Sequence, residues 1–390
     1  MVIGSTPRVG VLCFTPFGAS NGMAVRVWAI LEDLHALGTD LHIIAVGDGQ
    51  PSSLALGVPP GAVVTEVRPR SRPGFVTQVA RVLAKVSRSL DALVIEGAMF
   101  VPAVALSRVP CPLIWDIVEL ETLHYGRIRR ATPGVYTRRG IWYFLELWAG
   151  RKASVVVAVS DAEATECQRL LPGTRGKVRV VGHRVPLPEL RGREISNQRT
   201  PPPDPTDGGR PRAVFVGDMA AKHNRDAAKW ILRDLVPRLQ GGYEIVFIGP
   251  GSDALPQGNV SGSMVRGLGV VPELAAVLGP GDIALAPLAA GAGVKTKMLD
   301  YLALGCRVLA TPVALEGLDG PPGVERCSLA DFARVLDALA TTAEPDDARN
   351  CRIEAQRAWL LAHTSPQLTR VAWRDVLSDV GLMRGPGAHG

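Results

Sequence analysis

The sequence predicts an α/β fold of two Rossmann-like domains facing a central cleft, on three observations. Short apolar runs alternate with stretches of helical periodicity along most of the 390 residues. Repeated strand–helix–strand of this kind builds a parallel sheet with helices on both faces. The alternation breaks at residues 191–211 (RGREISNQRTPPPDPTDGGRP), which hold five prolines and almost no apolar residue, the composition of a linker. It then resumes, which divides the chain into two halves, as ~100–200 residues per domain leads one to expect. The expected boundaries are a first domain over 1–190, the linker over 191–211, a second domain over 212–365, and a C-terminal helix and tail over 366–390 that returns to the first domain.

Residues 9–14 (VGVLCF) are an apolar run of the kind that forms a buried parallel strand. Helical spacing follows over 23–37, where Met23, Val27, Ile30, Leu31, Leu34 and Leu37 line one side and Gly38 ends the helix. Further strands are expected at 62–67, 92–95, 113–115, 155–159 and 178–181, after one at 41–46. Helices between them fall at 75–89, 99–107, 136–152 and 160–171. On 136–152 the residues Trp142, Phe144, Leu145 and Trp148 sit at helical spacing and read as core. Past the linker, strands are expected at 213–216, 244–248, 264–266, 283–286 and 307–310, with helices at 224–239, 272–278 and 295–304. The tail from 329 to 380 reads as helical, with Trp359 and Trp373 on apolar faces.

Composition narrows the class. With 47% hydrophobic and 21% charged residues the chain can build a core, which excludes a disordered protein. A net charge of +6 is too small over this length to announce a nucleic-acid binder. The six cysteines, at 13, 111, 167, 306, 327 and 351, form no CxxC pair and mostly neighbour apolar residues. They read as buried free thiols of a cytoplasmic protein. Arg8 interrupts the stretch where a signal peptide needs its apolar region, and no apolar run approaches the ~20 residues of a spanning helix. The expectation is a soluble protein, or one resting on the inner membrane surface.

The richest chemistry lies in 282–317 (DIALAPLAAGAGVKTKMLDYLALGCRVLATPVALEG). A strand ends at Pro287, a loop of small residues runs from Ala289 to Gly293, and a helix begins near Val294. Small residues at Gly291 and Gly293 let a ligand approach the backbone, and free N–H groups at a helix start favour an anion. Lys295 and Lys297 sit in that first turn, where lysine opposes the helix dipole unless an anion offsets it. Only seven of the 43 basic residues are lysine, so two within three positions stand out. The pattern reads as a diphosphate site, with Asp300 one turn on as an acceptor for ribose hydroxyls.

These residues resemble a known family. The pattern PL..GAG.K.K..D...LG..V.AT....EG, two Rossmann halves, and an opening G.M....N..A..W at Gly217, Met219, Asn224, Ala227 and Trp230 look like the GT-B glycosyltransferases of the retaining GT4 group. Ile248-Gly249, Leu268-Gly269 and Val159-Ser160-Asp161-Ala162-Glu163 extend the likeness. The resemblance implies transfer of a sugar from a nucleotide-diphosphate donor, as co-substrate, to an acceptor hydroxyl on a lipid carrier, polysaccharide or natural product. It implies retention, a leaving phosphate that itself takes the acceptor proton, and no metal or other cofactor. It assigns Asp300 to the donor ribose, Lys297 to the donor phosphates or sugar, and Asn224 and Glu316 to the donor site. Lys297 and the amides around Gly293 and Val294 would stabilise the departing diphosphate. Gly18, Asn21 and Gly22 with Arg26 match a glycine-rich loop facing the cleft.

Two departures from the family pattern bear on activity. The first acid of the E-x7-E element is Ala292 here, and Asp218 stands where the pattern has an arginine. Phosphate charge then falls to Lys222, Arg225, Lys295 and Lys297. A homologue that binds without catalysing is therefore the alternative. A nicotinamide enzyme is disfavoured, because the loop PFGASNG lacks GxGxxG.

On the first domain, Asp116 to His124 (DIVELETLH) starts at a strand's carboxyl end and offers sugar-binding acids. Asp116 matches an acid that recurs there in the family, and His124 is the histidine expected nearest the cleft. His183 reads as an ordinary loop residue. The charge excess also lies on this side. Residues 1–190 hold 21 Lys+Arg and 15 Asp+Glu, a net +6, and the remainder balances at 22 and 22. Arg81, Lys85 and Arg88 share one helix face, and Arg127, Arg129, Arg130, Arg138 and Arg139 form a second cluster. Such faces suit peripheral contact with an anionic membrane or an anionic acceptor.

Overall fold

The structure is a computed structural model that describes residues 6–14, 22–47, 58–69, 72–127, 132–185, 210–291 and 293–384. The chain divides into two compact units, Met1–Arg184 with Thr364–Gly390, and Val185–His363. Gly18, Asn21, Ala292, Arg129, Arg130 and the proline-rich stretch up to 209 lie outside the described residues.

Unit 1 is built on strands β1 (Arg8–Phe14), β2 (Asp40–Val46), β3 (Val63–Val67), β4 (Ala92–Glu96), β5 (Leu113–Ile117), β6 (Val155–Ala158) and β7 (Val178–Val180). They form one parallel sheet in the order β3-β2-β1-β4-β5-β6-β7. The central strands are apolar throughout because both faces are covered, and every residue of β4, β5 and β6 is buried. The helices are α1 (Gly22–Ala36), α2 (Arg72–Val86), α3 (Val101–Ser107), α4 (Glu121–Gly126), α5 (Pro133–Lys152) and α6 (Asp161–Leu170). Ser160 caps α6 by accepting from the Glu163 N–H at 3.2 Å.

Unit 2 repeats the plan. Its strands are β8 (Arg212–Val216), β9 (Glu244–Ile248), β10 (Gly258–Val260), β11 (Ser263–Gly267), β12 (Ile283–Ala286), β13 (Arg307–Ala310) and β14 (Val324–Arg326). They run in the order β10-β11-β9-β8-β12-β13-β14, parallel except for β10 against β11. Helices α7 (Lys222–Trp230), α8 (Thr296–Ala303), α9 (Phe332–Thr341) and α10 (Asp346–Thr364) complete it. The three-residue edge strands β10 and β14 are too short to announce themselves in the sequence.

Two expected helices change form. Over 272–278 the chain makes only a 3₁₀ turn, Leu274–Ala276. The segment lies between Pro272 and Gly279-Pro280, too short to sustain a helix nucleus, and Arg212 takes the Val277 carbonyl at 3.1 Å. The helix expected over 224–239 ends at Trp230, widens into a π turn at Ile231–Leu235, and closes as a 3₁₀ turn at Val236–Arg238. Pro237 lacks an N–H and crowds the preceding turn, which relaxes the ladder there.

The last helix, α11 (Pro366–Asp379), belongs to unit 1 and buries Trp373, Val376 and Leu377 in the core shared with α1. Buried Asp33 on α1 anchors both segments by which the chain leaves and re-enters this unit. Its Oδ1 accepts from Arg184 at 3.1 Å and from Arg370 at 3.3 Å. Arg184 also donates to Glu32 at 2.6 Å and lies 5.2 Å over the Trp28 ring. Of the six thiols, Cys13, Cys167 and Cys306 are buried, Cys111 and Cys327 half-buried and Cys351 exposed, so the buried reading holds for three of them.

Candidate functional site

In open α/β sheets ligands gather outside the carboxyl ends of the strands, where the strand order reverses. In unit 2 that point lies between β8 and β12. Tyr301, one turn beyond Lys297 on α8, ties the two strands together. Its hydroxyl accepts from the Val216 N–H at 2.8 Å and donates to the Leu285 carbonyl at 3.3 Å. Thr311 Oγ1 donates to the Leu288 carbonyl at 2.7 Å and fixes the exit of β12. Neither was visible in the sequence, because each acts across strands distant in the chain.

Lys297 sits at the centre of this arrangement. Its Nζ donates to Asn224 Oδ1 at 2.6 Å and lies 4.2 Å from the Phe215 ring centroid. Asn224 is itself held by donation from Nδ2 to the Asp218 carbonyl at 3.0 Å. Gly217 leaves room for it, since a Cβ there would stand 2.7 Å from Asn224 Cγ. Burial pushes Lys297 down to about 7, the charge of Lys295 adds to this, and Asp300 opposes it. An arriving anion favours the charged form of a lysine depressed by burial in this way.

Lys295 is buried too, and donates to the Gly293 carbonyl at 2.5 Å. Helix α8 starts at Thr296, so Lys295 is its N-cap residue rather than part of the first turn. Gly291 (φ 140°) and Gly293 (φ 68°) adopt backbone that side chains rarely tolerate, which lets the loop turn back on Lys295. Val294, Asp300 and Glu316 are half-buried, with Glu316 directly after the 3₁₀ turn Pro312–Leu315. Lys222 departs from expectation. It is exposed and pairs with Asp226 along its own helix. Arg225 points its guanidinium at the Met219 and Ala220 carbonyls, at 2.9 and 3.0 Å.

The carboxyl edge of unit 1 has the opposite character. Arg26, expected beside an open loop, is buried on α1. Its Nε donates to Asp116 Oδ2 at 2.8 Å, its Nη2 pairs with Oδ1, and Nη1 reaches the Val181 and Gly182 carbonyls at 3.1 and 3.3 Å. Asp116 is 0% exposed, so the expectation that it binds sugar hydroxyls is corrected. Arg26 occupies both of its oxygens, and the pair pins β5 to the segment after β7. Burial raises Glu96 well above the carboxylate range, and neighbouring Asp116 adds to this. Burial lifts Glu163 to about 8 against the pull of Arg26. His183 is buried and held down to about 3 by desolvation and then by Arg26, so it is no ordinary loop residue.

His124 lies on α4, part exposed, with Nδ1 2.7 Å from Glu119 Oε1. That helix is set by Glu146 of α5, whose carboxylate accepts from the Glu121 and Thr122 N–H groups at 2.7 and 3.3 Å. No pattern within residues 116–124 reveals a cap that comes from 25 residues away. Among the described residues, no group of three or more His, Cys, Asp or Glu side chains is arranged to hold a metal ion.

Residues 210–341 match the family of glycosyl transferases group 1, and residues 21–183 match the glycosyl transferase 4-like domain. The chain belongs to the group 1 glycosyltransferases of GT4 type. Its fold is GT-B, as solved structures confirm. A glycosyltransferase from Rickettsia africae ESF-5 is similar at 13% identity and TM-score 0.66, with 98% of this chain and 100% of that one covered. HepE from Anabaena, solved with UDP and glucose, gives 12% identity, TM-score 0.67, and 95% and 99% coverage. Sucrose-phosphate synthase from Thermosynechococcus elongatus gives 14% identity, TM-score 0.73, and 96% and 99% coverage. No curated protein matches in sequence. Among its described residues this glycosyltransferase has no helix long and apolar enough to cross a membrane.

Proposed function

We propose that this glycosyltransferase moves a sugar from a nucleoside-diphosphate donor to an acceptor hydroxyl with retention, and that it needs no metal. The observation that carries this reading is the desolvated Lys297, held by Asn224 beside a second buried lysine at the switch point of unit 2. The similar HepE structure holds UDP and glucose. Lys297, with the amides around Gly293 and Val294, stabilises the diphosphate as the bond from the sugar's anomeric carbon to its oxygen breaks. The acceptor oxygen bonds to that carbon from the same face, and its proton passes to the departing phosphate. Asp300 and Glu316 bind donor hydroxyls, Gly217 and Gly291 make room for Asn224 and Lys295 at the donor site, and Lys295 adds charge. Unit 1 takes the acceptor, a lipid carrier, polysaccharide or natural product, with His124 as its contact. Asp116 acts through Arg26. The setting is cytoplasmic, with peripheral contact to an anionic membrane through the arginine-rich half.

Calorimetry with UDP, GDP and ADP tests this directly. Binding of one nucleotide in the micromolar to millimolar range is expected, and no binding by a folded protein overturns the reading. Ala292 and Asp218 favour a second reading, a homologue that binds without turnover. Donor hydrolysis without acceptor separates the two, since a catalytically impaired chain binds nucleotide yet releases no sugar.

A further inference from the structure

The sequence offers two basic faces, one on α2 and one around Arg127–Arg139, and the structure favours the second. The apolar residues of α2 face the core, with Val79 and Leu83 fully buried, so its exposed Arg81 and Lys85 stand without apolar company. Helix α5 differs. Tyr136 is 64% exposed, Ile141 54% and Phe144 69%, against an expectation that this helix buries its aromatic residues. At about 100° per residue these three span an arc of roughly 140°. Phe144 lies near its middle, opposite the buried Glu146 and Ala149. Exposed Arg139 and Arg138 flank the arc on its two sides. Between Glu121 and Glu146 the sequence holds five arginines and no acid.

We infer that the exposed face of α5 between Tyr136 and Phe144 docks this protein on an anionic lipid bilayer, with Phe144, Ile141 and Tyr136 entering the headgroup boundary and Arg138 and Arg139 on lipid phosphates. The face is a ridge of convex apolar side chains rather than a groove. A bilayer interface accepts such a ridge, and aromatic rings settle at that depth while guanidinium groups meet the negative surface. The rest of the positive excess on the N-terminal half, including Arg81 and Lys85, adds long-range attraction. This sharpens the peripheral contact of the proposed function and is independent of the transferase reading.

The test is co-sedimentation of the full chain with vesicles of phosphatidylcholine alone and of phosphatidylcholine with phosphatidylglycerol. Binding to the mixed vesicles only is expected. Phe144→Ala with Ile141→Ala is expected to reduce the bound fraction at least tenfold, and Arg138→Gln with Arg139→Gln by about thirtyfold. Arg81→Gln with Lys85→Gln is expected to do less, with an effect that disappears in added salt. These positions are exposed, and circular dichroism should show the fold retained. Nucleotide titrations of the same variants should be unchanged, which separates this inference from the proposed chemistry. Wild-type vesicle binding by the Phe144/Ile141 variant overturns the inference. So does a dimer in sedimentation velocity that this variant dissolves, because the face then meets a second copy instead.

Discussion

The two sheets are both seven-stranded and differ in order only at their edges, where the second carries the antiparallel β10, yet their carboxyl edges carry opposite chemistry. In unit 2 the edge is cationic, with Lys297 and Lys295 drawn out of water and one of them only half inclined to keep its proton. In unit 1 three acids, Glu96, Asp116 and Glu163, surround one arginine, and two of them are pushed toward the neutral form. The architecture therefore does not select the ligand. The side chains at the strand ends do, and burial penalises whichever charge they carry unless a partner offsets it. At the unit 2 edge Asp300 only partly offsets the burial of Lys297. The unit 1 edge is internally paired and is built to hold shape.

The sharpest way to break this comparison is to remove one cation from each edge. Lys297→Ala should lower turnover by ~10²–10³, as loss of a preorganised charge does, with the fold intact. Steady-state rates on the donor identified by hydrolysis check it, and unchanged activity removes the leaving-group role. Arg26→Ala should instead cost about 3–5 kcal/mol of stability, because Asp116 is left buried and unpaired. Chemical denaturation reads this, and nucleotide binding by unit 2 should persist in the folded fraction.

Alkali should move the two edges in opposite directions. Glu163 titrates near 8 when folded against an ordinary 4.5, so the stability its neutral form supplies is complete below 4.5 and lost as the pH climbs through 8. Lys297 is lowered from 10.5 to about 7, so its burial penalty is full below 7 and is relieved between 7 and 10.5. Glu163→Gln should therefore be more stable than the parent at pH 8.5 and lose that advantage at pH 5. Nucleotide affinity should fall as pH rises past 7 in the parent and stay flat in Lys297→Met.

Smaller effects sharpen the map of unit 2. Gly217→Ala should weaken nucleotide binding by about 1–3 kcal/mol, since its methyl displaces Asn224 and with it Lys297. Lys222→Ala should leave affinity within about twofold, as expected for one partner of an exposed pair. A large loss there would return Lys222 to the donor site.

The sequence carried the strand runs, the linker and the lysine-bearing loop because each is written in consecutive residues. Lys297 and Asn224 could be singled out by pattern, but their contact spans 73 positions, and the desolvation that tunes the lysine comes from Phe215 and the fold around it. The Arg26–Asp116 pair, 90 residues apart, was legible only as two separate polar residues, one assigned to a cleft-facing loop and the other to a run of sugar-binding acids. Phe144 was misjudged for the converse reason. Helical spacing marks which residues share a face, and only packing decides whether that face is covered.

The closure of unit 1 by α11 has a consequence for synthesis. Everything unit 2 needs has been made by His363, whereas unit 1 cannot seat Trp373 against α1, or give Asp33 its contact with Arg370, until the last helix emerges. The domain that begins first thus finishes last. During translation its α1 face waits as an open apolar surface while the second domain is free to fold, so a chain stopped short of residue 366 would carry a complete second domain and an unfinished first one.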